Sequence, residues 1–324
     1  ATGFVQRAER DAGCLIRGQQ GRDQILDQAL RAWGPEQPEV PLSLVADFLA
    51  LGYCYLQVEL LTRQMRYSSN LDEIHFQTLV LAAAEAACQG DSALAVEKLQ
   101  ACFDVLAEER DHYYPVEASI LDLTLVAPTT LGAGLRQQLA AEVPCNLVIS
   151  DATLQKLAEH EPESLQAIRE ALEADRLGLV VSEGDESRLP LLPCEAIRAQ
   201  LARALDRFER ILGRRPVVYG RRRFGLTPAL PQILRQLGFS GALHFTLEDG
   251  SFPEGSQVKV RWEGCDGTTL DAIARAPLDA TRPKGYLNYG VKLGESMDMD
   301  HVATMCLAHW PGNSSVWYAD LRRI

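Results

Sequence analysis

The segment YGRRRFGLTPALPQIL, Tyr219 to Leu234, carries three consecutive arginines directly after the apolar Val217-Val218-Tyr219. A guanidinium stays charged and presents its N–H donors in a planar fork, so it can neither attack a substrate nor shuttle a proton. What it suits is a buried ion pair with carboxylates, or a clamp on an anionic or sugar ligand. Acid–base or nucleophilic chemistry would fall to carboxylates sharing a cleft. Asp185 and Glu186, in Glu183-Gly184-Asp185-Glu186, and Asp249, before Gly250, are the candidate catalytic residues. An Asp-Gly pair also makes turns, which is the competing role of Asp249. Arg222, Trp262, Asp266, His309 and Trp310 form the candidate binding set, with core or hairpin packing as the alternative for the tryptophans. Met297-Asp298-Met299-Asp300-His301 has a metal-like composition, but without a partnering histidine cluster it reads as a helix-start cap. A nucleophilic Cys265 would need a neighbouring base that the sequence does not reveal.

These residues need elements to position them. Residues 1 to about 112 carry apolar residues at spacings of three and four, as in LSLVADFLALGYCYLQVELL, DEIHFQTLVLAAAEAA and SALAVEKLQACFDVLAEE. Asn70-Leu71-Asp72 and Asp91-Ser92 are N-cap candidates and Gly90 a stop. From about residue 115 short β-rich runs alternate with helical ones: SILDLTLV, CNLVIS, LGLVVSE, PVVYG, GALHFTL and VATMCLAH read as strands. QVKVRWE and TTLDAIAR form a hairpin around Gly264–Gly267. The expected domains are therefore a helical region, 1–114, and an α/β domain, 115–324, with a mainly parallel sheet. In such sheets ligands bind at the carboxyl ends of the strands. The arginines end one of these strands, ahead of a helix expected to be capped by Thr227 with Pro228 first. Neighbouring residues of an extended chain point opposite ways, so Arg222 faces one side and Arg221 and Arg223 the other. Glu183–Glu186 close the preceding strand on the same edge, and Arg222 or Arg223 is expected to pair with one of these acids.

Composition narrows the partners. With 324 residues, 47% of them hydrophobic, the chain can bury a large core. A net charge of -12 argues against nucleic acid. The eight cysteines form no CxxC pair and read as free thiols of a reducing compartment, the cytoplasm. No uninterrupted apolar run reaches bilayer length, so no membrane is expected. The start at Ala1 suggests a trimmed or partial product.

Phe224-Gly225, Leu230-Pro231-Gln232-Ile233-Leu234 and Trp262-Glu263-Gly264-Cys265-Asp266-Gly267 match, in order and spacing, motifs of the bacterial branch of family 38 glycoside hydrolases, the α-mannosidases. Leu189-Pro190 with Glu195, and Leu212–Pro216, extend the resemblance, which covers roughly residues 116–310. It implies a (β/α)7-type barrel of the family 38/57 kind and a further β-rich region beyond it. It also implies that the family's nucleophilic, zinc-binding aspartate falls on Arg222, its tryptophan on Tyr219 and its proline on Arg221. The histidine-x-aspartate zinc pair of the first strand would lie in Ser119–Val126, which has Asp122 but no histidine. A later aspartate motif would fall near Leu307–Gly312, which has no carboxylate. The expectation is a glycosidase-like, carbohydrate-binding domain without zinc or another cofactor, divergent or inactive. The alternative is a pseudo-glycosidase that works through residues 1–114, docking other proteins or further copies of itself.

Overall fold

The computed structural model describes residues 22–33, 40–64, 69–113, 118–141, 143–223, 226–243, 259–274, 277–282, 288–299, 303–314 and 318. They fall into two compact units, one of residues up to 115 with 287–294 and 315–324, the other of residues 116–286 with 295–314. The helical unit contains α1 (Arg22–Trp33), α2 (Leu42–Gln64), α3 (Glu73–Cys88) and α4 (Ser92–Tyr113). Its joints follow from residue type. Asp72 accepts from His75 N at 2.9 Å and Asp91 from Leu94 N at 3.0 Å, each supplying a helix start with a side-chain acceptor. Gly90, at φ +80°, reverses the chain between α3 and α4. Leu44, Leu51, Phe76, Ala83, Leu99 and Leu106 form the core of this unit. Among the described residues α2 is long and apolar enough, by length and composition, to cross a membrane. Asp47 and Glu59 interrupt its apolar run.

The second unit alternates strand and helix: β1 (Ala118–Leu125), α5 (Ala133–Ala140), β2 (Cys145–Ser150), α6 (Asp151–His160), α7 (Pro162–Glu173), β3 (Leu177–Ser182), α8 (Cys194–Leu212), β4 (Val218–Gly220), α9 (Leu230–Gln236) and β5 (Gly241–Leu243). The hairpin β6 (Lys259–Glu263) and β7 (Thr269–Ile273) follows, then β8 (Leu278–Asp279), α10 (Tyr289–Met299), whose residues up to 294 count with the helical unit, and β9 (Ala303–His309). The strands form one 9-stranded sheet in the order β6-β7-β5-β4-β3-β2-β1-β9-β8. All neighbours run parallel except β6 against β7. This is the expected α/β architecture, with every described parallel strand ending on one edge.

Two helix boundaries differ from expectation. Thr227 and Pro228 form a turn, and α9 starts at Leu230 with Pro231 in its first turn and no side-chain cap. Met297 lies near the end of α10 rather than at a helix start; Asp300 and His301 lie outside the described residues.

Strand alternation sorts the core into two faces. Leu147, Ile149, Leu179, Val181, Tyr219 and Ala242 pack with Leu154, Leu201, Phe208 and Leu234 of the helices. The opposite face gathers Leu123, Leu125, Val148, Val180, Leu243, Cys306 and Ala308, with Trp310 packed against them. On this second face lies an open pocket of about 680 Å³ that residues from β1 through β7 line. Gly220 belongs there: a Cβ on it would come within 2.5 Å of Val180 Cγ1 and 3.2 Å of Leu243 Cβ, so a side chain would overpack the interior.

Candidate active site at the carboxyl edge of the sheet

The arginine run begins where β4 ends, and the strand's alternation carries on through it. Tyr219 faces the helix-covered core and so does Arg221, which is 1% exposed. Arg221 Nη1 donates to Glu183 Oε1 at 2.8 Å. Its remaining donors reach main-chain carbonyls: Nε that of Arg223 at 2.8 Å, and Nη2 those of Glu186 at 2.6 Å and Ser187 at 2.7 Å. Tyr219 donates its hydroxyl to Glu183 Oε2 at 3.2 Å. Burial pushes the Glu183 carboxyl up to about 7 although the Arg221 guanidinium pulls it down. The same burial, joined by the Glu183 charge, holds the Tyr219 hydroxyl well above its ordinary value.

The next acid is consumed as well. Glu186 sits at φ +56°, a conformation that costs a side-chain-bearing residue about 1 kcal/mol or more. Its carboxylate offsets this by accepting from Ser182 Oγ at 2.7 Å, from Arg222 N at 3.1 Å and from Arg223 N at 3.1 Å. Past β2, Asp151 accepts from Gly184 N and pairs with Arg207. Asp185 is exposed. Glu186 and Asp185 therefore share a turn, but Glu186 is bound into the scaffold and no described contact makes them a working pair. Asp249 lies outside the described residues, as do Phe224 and Gly225.

Arg222 points the other way, as alternation requires. Its guanidinium lies 5.8 Å from the ring centre of Trp310, which follows β9. The side chain is 14% exposed and approaches Glu186 Oε2 only at 4.0 Å. Among the described residues its guanidinium makes no hydrogen bond. Arg222 thus pairs with Glu186 as expected, though across 4.0 Å, while the tighter, fully buried ion pair of this edge belongs to Arg221; Tyr219 already marked the face that a residue two positions on would share. Asp151 and Arg207 were not singled out in the sequence, because nothing local links residues 56 positions apart.

The remaining candidates are dispersed. Trp262 packs against the helix-covered core rather than beside Arg222. Asp266 closes the β6–β7 turn, accepting from Thr268 N at 3.0 Å and Thr268 Oγ1 at 2.6 Å; these bonds hold its carboxyl below the usual range. Cys265 shares that turn and is exposed. His309 is buried, with Nε2 3.0 Å from Asp122 Oδ1 and Nδ1 3.2 Å from the carbonyl oxygen of Trp310. Asp122 alternates with Leu121 and Leu123, so it faces away from the interior and from Arg222. A zinc set built on Asp122 and the end of β4 does not fit these residues. Among the described residues no group of three His, Cys, Asp or Glu side chains is placed to hold a metal.

The model of glycosyl hydrolase family 57 matches residues 70–248, more than half of the 324-residue chain. The chain belongs to glycosyl hydrolase family 57. The expected glycoside-hydrolase resemblance is met at this level, while the finer expectation of family 38 is not what the match shows. No curated protein matches this family 57 chain significantly. Among solved structures it is similar to 4-α-glucanotransferase from Thermococcus litoralis, at 16% identity and TM-score 0.47, over 64% of this chain and 36% of that one. An α-mannosidase from Enterococcus faecalis gives 11% identity and TM-score 0.48, over 64% and 26%. A GH57-type branching enzyme from Pyrococcus horikoshii gives 10% identity and TM-score 0.41, over 64% and 65%. The family 57 chain therefore spans about a third of the glucanotransferase and a quarter of the mannosidase.

Proposed function

We propose that this family 57 domain binds a carbohydrate at the carboxyl edge of its sheet and does not cleave it by the two-carboxylate route. The observation that carries this reading is the state of the acids there. Glu183 is tied to Arg221 and Tyr219, Glu186 to a hydroxyl and two main-chain amides, and Asp151 to Arg207. The position at the end of β4 that faces away from the helices, beside Trp310, belongs to Arg222. Retaining hydrolysis needs a nucleophilic carboxylate about 5–5.5 Å from a second that donates a proton, and inverting hydrolysis a pair about 6.5–9.5 Å apart. A guanidinium at the strand end would also oppose the positive charge that develops on the sugar. Trp310 is half-buried, and the part of its indole left open by Arg222 and the inner cluster is where we place a sugar ring. The likeness of residues 230–234 and 262–267 to family 38 motifs supports α-mannosides as the first neutral ligands to try. The free thiols of the described cysteines support a cytoplasmic setting.

The purified chain, incubated with chromogenic α-mannosides and α-glucosides with and without zinc, is expected to release no chromophore above a heat-denatured control. The same chain is expected to bind oligosaccharides in calorimetry. Zinc-independent turnover that survives changes at Arg222 and Trp310 would sink the reading.

A second reading rests on the helical unit. On α3, Ile74 is 80% exposed and Leu81 63%, seven positions apart and so on one helix face. We infer a surface for self-association there. Light scattering should show the wild-type chain as a dimer or larger and the Ile74→Asp/Leu81→Asp variant as a monomer; identical masses would dismiss it.

A further inference from the structure

Arg222 has an unusual environment for a cation that is mostly shielded from water. Buried charges are normally matched by a carboxylate, because leaving one unpaired is costly. Here the match is loose. Glu183 is bound by Arg221 on the opposite face of the strand. Glu186 receives Ser182 and two main-chain amides and forms a long ion pair with Arg222, Nε to Oε2 4.0 Å, in which the guanidinium donates no hydrogen bond. Asp185, on the same turn, is exposed. Beside the guanidinium lies the indole of Trp310, which attracts a cation through its π face and leaves the in-plane N–H donors available.

A planar donor fork next to an aromatic plate, at the strand edge where α/β sheets take ligands, is a two-part recognition surface. The plate receives the C–H face of a pyranose and the fork receives an anion attached to it. We propose that the carbohydrate bound by this domain is acidic, a uronate or a phosphorylated sugar, with its anionic group on Arg222 and its ring on Trp310. The inference rests on the carbohydrate-binding reading above and names the class of ligand within it. In a chain of net charge -12, an anion is drawn to this edge only by local pairing, so binding weakens as salt rises.

Calorimetry on the whole chain tests this with matched probes: α-1,4-linked trigalacturonate against its carboxyl-reduced trigalactoside, and glucose 6-phosphate against glucose. At least about tenfold tighter binding of an acidic probe than of its neutral counterpart is expected, the scale of one charge-assisted fork. Whichever acidic probe wins identifies the anion as carboxylate or phosphate. Arg222→Gln should abolish the preference, so that within this variant the acidic and neutral probes bind within about threefold of each other. Trp310→Ala should weaken acidic and neutral probes alike. Thermal melting of both variants checks that they fold, and Arg222→Lys, which keeps the charge but loses the fork, should retain part of the preference. Equal binding of acidic and neutral probes by the wild type overturns this inference while leaving carbohydrate binding standing. Binding of neither kind overturns both.

Discussion

Replacing Arg221 by methionine lowers stability by about 3–5 kcal/mol at pH 8, the usual cost of removing one partner from a buried ion pair. Four acceptors lose their donor at once: Glu183 Oε1 and the carbonyls of Arg223, Glu186 and Ser187. The loss depends on pH, with a sign that follows from Glu183. Its carboxyl stands at about 7 in the fold against an ordinary 4.5, because burial disfavours the charged form more than Arg221 favours it. A group raised in this way contributes stability that is fully present below about pH 4.5 and is lost as pH climbs through about 7. Without the guanidinium the rise is larger, so the penalty on the charged carboxylate grows on the alkaline side. Urea unfolding should show a variant deficit that widens from pH 5 to pH 8. A constant deficit would sever the loss from Glu183 ionisation, and one under about 1 kcal/mol would show that the pair holds nothing together. Glu183→Leu combined with Arg221→Met should recover part of the loss, since an apolar pair avoids the desolvation of two charges. It should not recover all of it, because the three carbonyls stay unpaired.

Asp122→Ala is the second large effect, at about 2–4 kcal/mol. Asp122 lies on β1 and His309 on β9, and their 3.0 Å contact joins the two strands across the buried face. Removing the carboxylate takes an acceptor from a ring that is almost wholly shielded from water and leaves a gap beside it. Asp122→Asn keeps an oxygen in place and should restore most of the stability. His309 Nδ1 also lies 3.2 Å from the carbonyl of Trp310, so a loosened ring should blunt sugar binding in the alanine variant more than in the asparagine one. Chemical denaturation together with calorimetry would register both. Equal stability of the alanine and asparagine variants would deny the contact any role.

Much of the sheet was legible because its strands are short apolar runs bounded by helices. CNLVIS, LGLVVSE and VATMCLAH became β2, β3 and β9, and the Trp262–Gly267 stretch became the β6–β7 turn. The edge on which the arginines sit followed from strand–helix alternation alone. The identity of the buried arginine did not. It depends on which face of β4 the helices cover, and Tyr219, apolar enough for the core yet able to donate to Glu183, was the available sign. Contacts between distant residues were illegible for a different reason. Asp151 with Arg207, and Asp122 with His309, meet only once the sheet has formed, and no periodicity records the meeting. Asp249, weighed as an acid, lies outside the described residues.

The neighbour of β1 opposite β2 arrives late. Thr124 and His309, paired across β1 and β9, are 185 residues apart. At ordinary translation speeds of about 5–20 residues per second, roughly 10–40 s separate their emergence from the ribosome. For that interval the nascent chain carries an apolar strand, Leu121, Leu123 and Leu125, with one row of amides unclaimed, an invitation to pair with another polypeptide. Production of this protein is therefore expected to lean on chaperones that shield nascent strands, and to yield inclusion bodies when synthesis outruns them.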